Sequence, residues 1–333
     1  MRLLPRKSLT AAALITAATL ALTACSAPAE SADPGTTEPA AADDSWPRTI
    51  THDAGETEIP AQPLTIVSTS VSITGTLLAI EAPLVASAAT SVNPLTDDKG
   101  FFSQWADIAD ERGVEVLYPN LELDIEAIEA IAPDLIIGST VGGDATLEAY
   151  DQLSEIAPTV LFDYGSKPWD ELAAVLGEAT GLEENATAAV ADFDAYLAEK
   201  AEAITVPDQP TALISYQGAE GIGMFSGQSP QARIFEALGF EWAEIPTDLA
   251  SQTRGDASFF TAENTPAALE GAQTLFAIPV GGDPTQALTS DPLLANQPAI
   301  QNERLFITQA TAFRIDPFSA RQLADTLVEL FGK

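Results

Sequence analysis

Chemistry in this chain is limited first by which side chains are scarce. His52 is the only histidine and Cys25 the only cysteine among 333 residues, so a Ser/His/Asp site or a histidine-rich metal site has almost no raw material. His52 lies in Thr51-His52-Asp53-Ala54-Gly55, a pattern that predicts a β-hairpin. No Gly-x-x-x-x-Gly-Lys loop occurs, and the glycines from Gly138 to Gly143 lack the spacing of a nucleotide-binding loop. Cations are few: 14 Lys and Arg stand against 49 Asp and Glu, a formal charge of −35. Nucleic acid and anionic membrane surfaces are therefore poor partners. Hydrolysis by paired carboxylates stays open on composition, although scattered acids usually form a solvated face. A cleft carboxyl pair about 5–10 Å apart would mark that chemistry, and convergent arginines would mark anion binding instead.

Cys25 closes Leu22-Thr23-Ala24-Cys25, behind a basic start (Arg2, Arg6, Lys7) and an uncharged run, Leu9 to Leu22, too short to span a bilayer as a stable helix. Residues 1–24 read as an export signal. The small residues before the cysteine resemble the lipobox of bacterial lipoproteins, which implies an acylated Cys25 as the new N-terminus and extracytoplasmic anchoring to the cell membrane. A lone cysteine forms no intrachain disulfide, so the fold must rely on its core. Loss of residues 1–24, with three basic and no acidic residues, takes the formal charge from −35 to −38. Ser26 to Ser45 has no aromatic and no large aliphatic residue, the composition of a disordered tether.

From Trp46 onward, short apolar runs alternate with helical stripes. Leu64-Thr65-Ile66-Val67, Pro83-Leu84-Val85-Ala86, Leu135-Ile136-Ile137 and Thr159-Val160-Leu161-Phe162 read as strands. Ile125, Ile128 and Ile131, and then Leu147, Tyr150 and Leu153, read as helix faces. That alternation predicts an α/β fold with largely parallel sheets. The unit from Glu126 through Leu135-Ile136-Ile137 to Gly142-Gly143-Asp144 is echoed from Glu263 through Leu275-Phe276-Ala277-Ile278 to Gly281-Gly282-Asp283, which suggests two similar lobes. Glu183 to Ile204 has no Gly or Pro and puts Val190, Phe193, Leu197 and Ile204 on one face. At 1.5 Å per residue it is a helix of roughly 33 Å, long enough to join two lobes stiffly. The expected organisation is a signal peptide at 1–24 and a tether at 25–47. A first lobe at 48–166, connecting helices at 167–206 and a second lobe at 207–333 follow, with a ligand cleft between the lobes.

From about Ile50 to Phe331 the chain resembles the siderophore-binding, helix-linked class of bacterial substrate-binding lipoproteins that feed ABC importers. The resemblance is carried by Val67-Ser68-Thr69-Ser70 with Thr74-Gly75, by Gly100-Phe101 with Gln104-Trp105, and by Gly142-Gly143-Asp144 with Tyr150-Asp151-Gln152-Leu153-Ser154. Ile156-Ala157-Pro158-Thr159, Asp291-Pro292-Leu293-Leu294-Ala295 and Thr311-Ala312-Phe313-Arg314-Ile315-Asp316 add to it. It implies a non-enzymatic, monomeric receptor with no cofactor of its own. The expected ligand is a ferric catecholate siderophore of the enterobactin type, with iron held by the siderophore, and the expected partner is an ABC permease dimer. Another chelate, such as a mixed or hydroxamate siderophore, cobalamin or haem, is the alternative; haem would want a Tyr or His axial ligand.

A ferric tris-catecholate carries about three negative charges and flat aromatic faces, so its site needs guanidinium or ammonium groups and aromatic surfaces. By resemblance Arg314 lies in the cleft-lining turn before the last helix, and Arg254 in a basic loop. Lys99 lies in a loop where the arginine of the enterobactin-binding member is absent. Arg233 belongs to a helix face. The aromatic candidates are Phe101, Trp105, Tyr216, Phe225 and Phe313, with Phe225 near a position where that member has tryptophan. Glu126 and Glu263 occupy the helix starts that in the wider family dock into arginine pockets of the permease; an acidic residue also suits a helix start through the macrodipole.

Overall fold

The computed structural model describes residues 45–333; the signal, Cys25 and most of the expected tether lie outside them. The chain opens with the predicted hairpin, β1 (Arg48–His52) and β2 (Gly55–Ile59), paired antiparallel so that His52 faces Gly55. Its inner face carries Ile50, His52 and Ile59. The single histidine fastens the hairpin to the next layer. His52 Nδ1 accepts from the backbone N–H of Ala54 (3.2 Å) and Leu161 (3.3 Å), and Nε2 faces the Thr57 hydroxyl at 3.0 Å. Two donors on Nδ1 fix the neutral, Nε2-protonated tautomer.

The first sheet is entirely parallel. It comprises β3 (Ile66–Ser68), β4 (Leu84–Ser87), β5 (Glu115–Val116), β6 (Leu135–Ser139) and β7 (Thr159–Phe162), in the order β5-β4-β3-β6-β7. Every residue of β6 and β7 is buried, as expected for parallel strands covered on both faces. β3 starts two residues later than the apolar run suggests. The N–H groups of Leu64 and Thr65 are taken by Asp134 Oδ2 (3.0 and 2.9 Å), and Leu64 is 74% exposed.

The second sheet departs from the parallel expectation. It comprises β8 (Thr211–Tyr216), β9 (Ile222–Phe225), β10 (Gln252–Thr253), β11 (Ala257–Phe260), β12 (Thr274–Ile278) and β13 (Leu305–Ile307), ordered β10-β11-β9-β8-β12-β13. β8, β12 and β13 run parallel, whereas β8, β9, β11 and β10 pair antiparallel. Gly221 explains the switch. A Cβ there would lie 2.0 Å from the Phe260 carbonyl oxygen, and its φ is +105°, so only glycine permits the tight turn returning β8 into β9. The two halves thus share a helix-strand-glycine unit without sharing a sheet plan.

Helices Trp169–Thr180 and Glu183–Ala203 join the sheets. On the longer one Phe193 and Leu197 are buried and Val190 is partly so, with Ile204 buried just past its end. The last helix, Pro317–Phe331, packs on this helix and on Val71–Ala79 of the first half. One buried cluster consequently runs through both halves: Ile73 and Leu77, then Leu172 and Phe193, then Phe235 and Leu323. A core shared in this way resists large rigid-body opening.

Candidate functional site

Arg314 is placed by a turn of helix, Ala310–Phe313, and by the cap of the final helix. Asp316 Oδ1 accepts from the N–H groups of Phe318 (2.9 Å) and Ser319 (2.8 Å), Pro317 opens the helix, and Ser319 Oγ donates to the Arg314 carbonyl at 2.7 Å. This capping box fixes the backbone on both sides of the arginine. Asp316 Oδ2 accepts from Gln104 Nε2 of the first half at 2.9 Å. Burial pushes the Asp316 carboxyl up, against the lowering effect of its hydrogen bonds. A Cβ on Gly75 would stand 2.8 Å from Asp316 Oδ2, so this close approach of the two halves requires glycine.

Above this floor lies an open cleft walled by both halves: Ser72, Thr76 and Phe102 on one side, Gln231, Phe313 and Arg314 on the other, and Tyr164, Lys167 and Trp169 between them. It continues past Lys167, Pro230 and Asp256 into a recess that Arg233 also lines. The Arg314 side chain is exposed, with its guanidinium carbon 5.3 Å from the Phe313 ring centroid and 5.5 Å from that of Tyr164. Among the described residues it makes no ion pair and no side-chain hydrogen bond, unlike Arg48 on Glu183, Arg304 on Asp208 and Arg233 on Asp170. A cation held between aromatic faces with all its donors free is preorganised for an anion.

Tyr164 follows β7 at its carboxyl end, where ligands gather in parallel sheets. Its hydroxyl donates to Asp144 Oδ1 at 2.8 Å, while Asp144 Oδ2 accepts from Ser70 Oγ (2.5 Å) and Ser72 N–H (3.0 Å). Burial, reinforced by the Asp144 charge, pushes the Tyr164 hydroxyl up to about 12, so it stays a donor. Gly142, at φ +86°, is required here, because a Cβ would fall 1.8 Å from the Tyr164 hydroxyl. The Gly142-Gly143-Asp144 run thus holds Tyr164 in the cleft wall. Lys167 Nζ also lines the cleft and donates to Asp53 Oδ1 and Oδ2 at 3.0 and 2.7 Å.

Of the residues expected from sequence, Arg314 and Phe313 meet in the cleft. Phe101 and Trp105 do not: they are 0% and 1% exposed core side chains, and the neighbouring Phe102 reaches the cleft instead. Phe225, 5% exposed, packs edge-on against Phe313 at 6.5 Å and presents no free face. Tyr216, at the end of β8, packs on the second-half core cluster away from the cleft lining. Lys99 pairs with Asp110 outside the cleft. Arg254 sits in the turn between β10 and β11, over the Phe259 ring at 4.7 Å and 3.7 Å from Asp256, and it is Asp256 that lines the cleft. Arg233 does sit on a helix, Pro230–Ala237. Glu126 is exposed in the first turn of helix Ile125–Ile131, whereas Glu263 is exposed in the turn before helix Thr265–Leu269, outside the helix and its cap at Asn264. Tyr164, Lys167, Phe102 and Gln231 escaped sequence reading; the signal available for the first two was their loop, Asp163-Tyr164-Gly165-Ser166-Lys167, directly after a buried strand.

A mixed α/β body with an anion-ready cleft between two sheets, spanned by a long helix, defines a solute-binding protein. The profile of the periplasmic binding protein family matches residues 66–312, and the chain belongs to that family. It is 42% identical over 292 residues, covering 86% of this chain and 91% of the relative, to the ferric enterobactin-binding periplasmic protein FepB of Escherichia coli O6:H1 (strain CFT073). Its fold matches holo-ViuP with a TM-score of 0.78 at 35% identity, covering 86% of this chain and 96% of that one. Staphylococcus aureus SirA complexed with staphyloferrin B shares the fold at a TM-score of 0.64 and 20% identity, over 85% and 97% of the two chains.

Proposed function

We propose that this protein captures a ferric catecholate siderophore of the enterobactin type between its two halves and hands it to an ABC permease for iron uptake. The observation that carries this reading is Arg314, exposed and unpaired between the Phe313 and Tyr164 rings in a cleft walled by both halves. A tris-catecholate offers what that arrangement lacks: negative oxygens for the guanidinium and flat rings for the aromatic faces. The relative that binds ferric enterobactin, 42% identical, supports the ligand class. Iron would stay in the chelate. A carboxylate hydrolase fits poorly, because of the two cleft-lining aspartates, Asp256 and Asp316, the second is consumed by the helix cap and Gln104.

In the full reading, residues 48–166 and 207–333 are the lobes, 167–206 the connection, and acylated Cys25 the membrane anchor of a monomeric receptor. Glu126 and Glu263 dock on the permease. Trp169 lines the cleft and supplies the assay: titration with ferric enterobactin should quench intrinsic fluorescence saturably at one chelate per chain. Absence of saturable quenching up to micromolar ligand would overturn the reading.

A further inference from the structure

Arg314 is free, but the other cations of the cleft are not. Lys167 engages both carboxylate oxygens of Asp53, and Asp53 is itself held by the Asp163 N–H at 2.7 Å and by its own N–H on the Leu161 carbonyl at 2.9 Å. Arg233 is bound in a two-pronged pair to Asp170, Nη1 to Oδ1 at 3.1 Å and Nη2 to Oδ2 at 3.0 Å. Burial alone would raise the Asp53 carboxyl, yet the hydrogen bonds from Lys167 and Asp163 and the Lys167 charge keep it below the usual carboxylate range. Both pairs are partly exposed, with side-chain exposures of 26% and 34% for Lys167 and Asp53 and 50% and 26% for Arg233 and Asp170. Such pairs are weak enough to exchange partners.

We propose that Asp53 and Asp170 are built-in competitors for the cleft cations, and that they hold down the site's affinity for multiply charged chelates while leaving that for neutral ones unchanged. The inference rests on the anionic-siderophore reading above and adds the residues that moderate its affinity for charge. A neutral chelate gains nothing by approaching a lysine or arginine already neutralised by its own chain. A chelate with about three negative charges can draw Lys167 and Arg233 toward itself, because each guanidinium or ammonium donor then serves the stronger field. Both aspartates persist as nearby negative charges in the complex, so each lowers the affinity for the anion.

The test compares wild type with Asp53→Asn and Asp170→Asn, whose amide oxygens can still accept from the same cations. Ferric enterobactin serves as the charged probe and ferrichrome, a neutral ferric hydroxamate, as the control. Each variant should bind ferric enterobactin about threefold to tenfold more tightly at low salt, with a smaller gain at high salt, and ferrichrome with unchanged affinity. Unchanged or weakened ferric enterobactin binding overturns the proposal, as does an equal gain for ferrichrome. Asp53→Asn also loosens the Asp163 contact; if that variant fails to fold, Asp170→Asn, at a partly exposed helix start, decides alone. A wild type that binds neither chelate removes the functional reading and this inference together, whereas a binding wild type with untightened variants removes the inference only.

Discussion

Replacing Arg314 by glutamine isolates the group on which the proposed ligand capture rests. The side chain is exposed, and among the described residues its donors meet no acceptor, so its removal should cost the fold almost nothing. Surface substitutions of this kind stay within about 0.5 kcal/mol, a thermal midpoint change of about 2 °C or less for a chain of this size. Binding should respond quite differently. A hydrogen bond to a charged group contributes about 1.5–3 kcal/mol, and stacking of the cation on an exposed ring adds about 0.5–1 kcal/mol, which glutamine's planar amide recovers only in part. At 1.4 kcal/mol per decade, affinity for ferric enterobactin should fall by roughly tenfold to 200-fold. Arg314→Lys, which keeps the charge and loses the planar fork, should fall between the two. Fluorescence titration beside a thermal melt reads both quantities. An Arg314→Gln variant with an unchanged melt and an affinity within about threefold of wild type would refute the reasoning.

Gly142→Ala should destabilise the protein by at least about 1 kcal/mol in urea melts, since φ is +86° and the new Cβ would collide with the Tyr164 hydroxyl at 1.8 Å; a neutral effect would mean that Tyr164 is not held as described. His52 should titrate below 6.5, because burial lowers its pKa more than the Asp53 charge and its hydrogen-bonding raise it. A depressed folded-state value means the unfolded chain binds the proton first, so His52 contributes stability above about pH 6.5 that is lost as pH falls through the folded value. As the only histidine, it gives one ring signal by NMR, and a midpoint at or above 6.5 would contradict the hairpin geometry. Glu126→Ala and Glu263→Ala should leave chelate affinity within about twofold and reduce permease-dependent iron uptake; uptake at the wild-type rate would remove the docking role.

What was legible in the sequence follows from how local each feature is. β7 (Thr159–Phe162) matches its expected bounds and the helix from Glu183 ends at Ala203, one residue short of them, because buried apolar runs and long uninterrupted stripes encode both directly. β3 was misplaced at its start because Asp134, about seventy residues away in sequence, captures the two preceding N–H groups. The antiparallel half of the second sheet turns on one glycine conformation at Gly221, which no periodicity carries. In the site, Arg314 and Phe313 are legible only through the resemblance of Thr311-Ala312-Phe313-Arg314-Ile315-Asp316; the structure holds their turn with the cap formed by Asp316, Pro317 and Ser319. Phe101 and Trp105 were not separable from Phe102, since neighbours in a loop face opposite ways and only tertiary packing says which one is buried. Lys167 is not legible as a cleft residue because its partner Asp53 comes from the hairpin at the other end of the first half.

Anomalous diffraction at the iron edge from crystals of the protein with ferric enterobactin tests the central claim most directly. One iron peak should appear in the cleft bounded by Tyr164, Lys167 and Arg314, with chelate oxygens filling its coordination shell and Arg314 in contact with a catecholate oxygen. An iron peak outside that cleft, or one ligated by a protein side chain, would contradict the account.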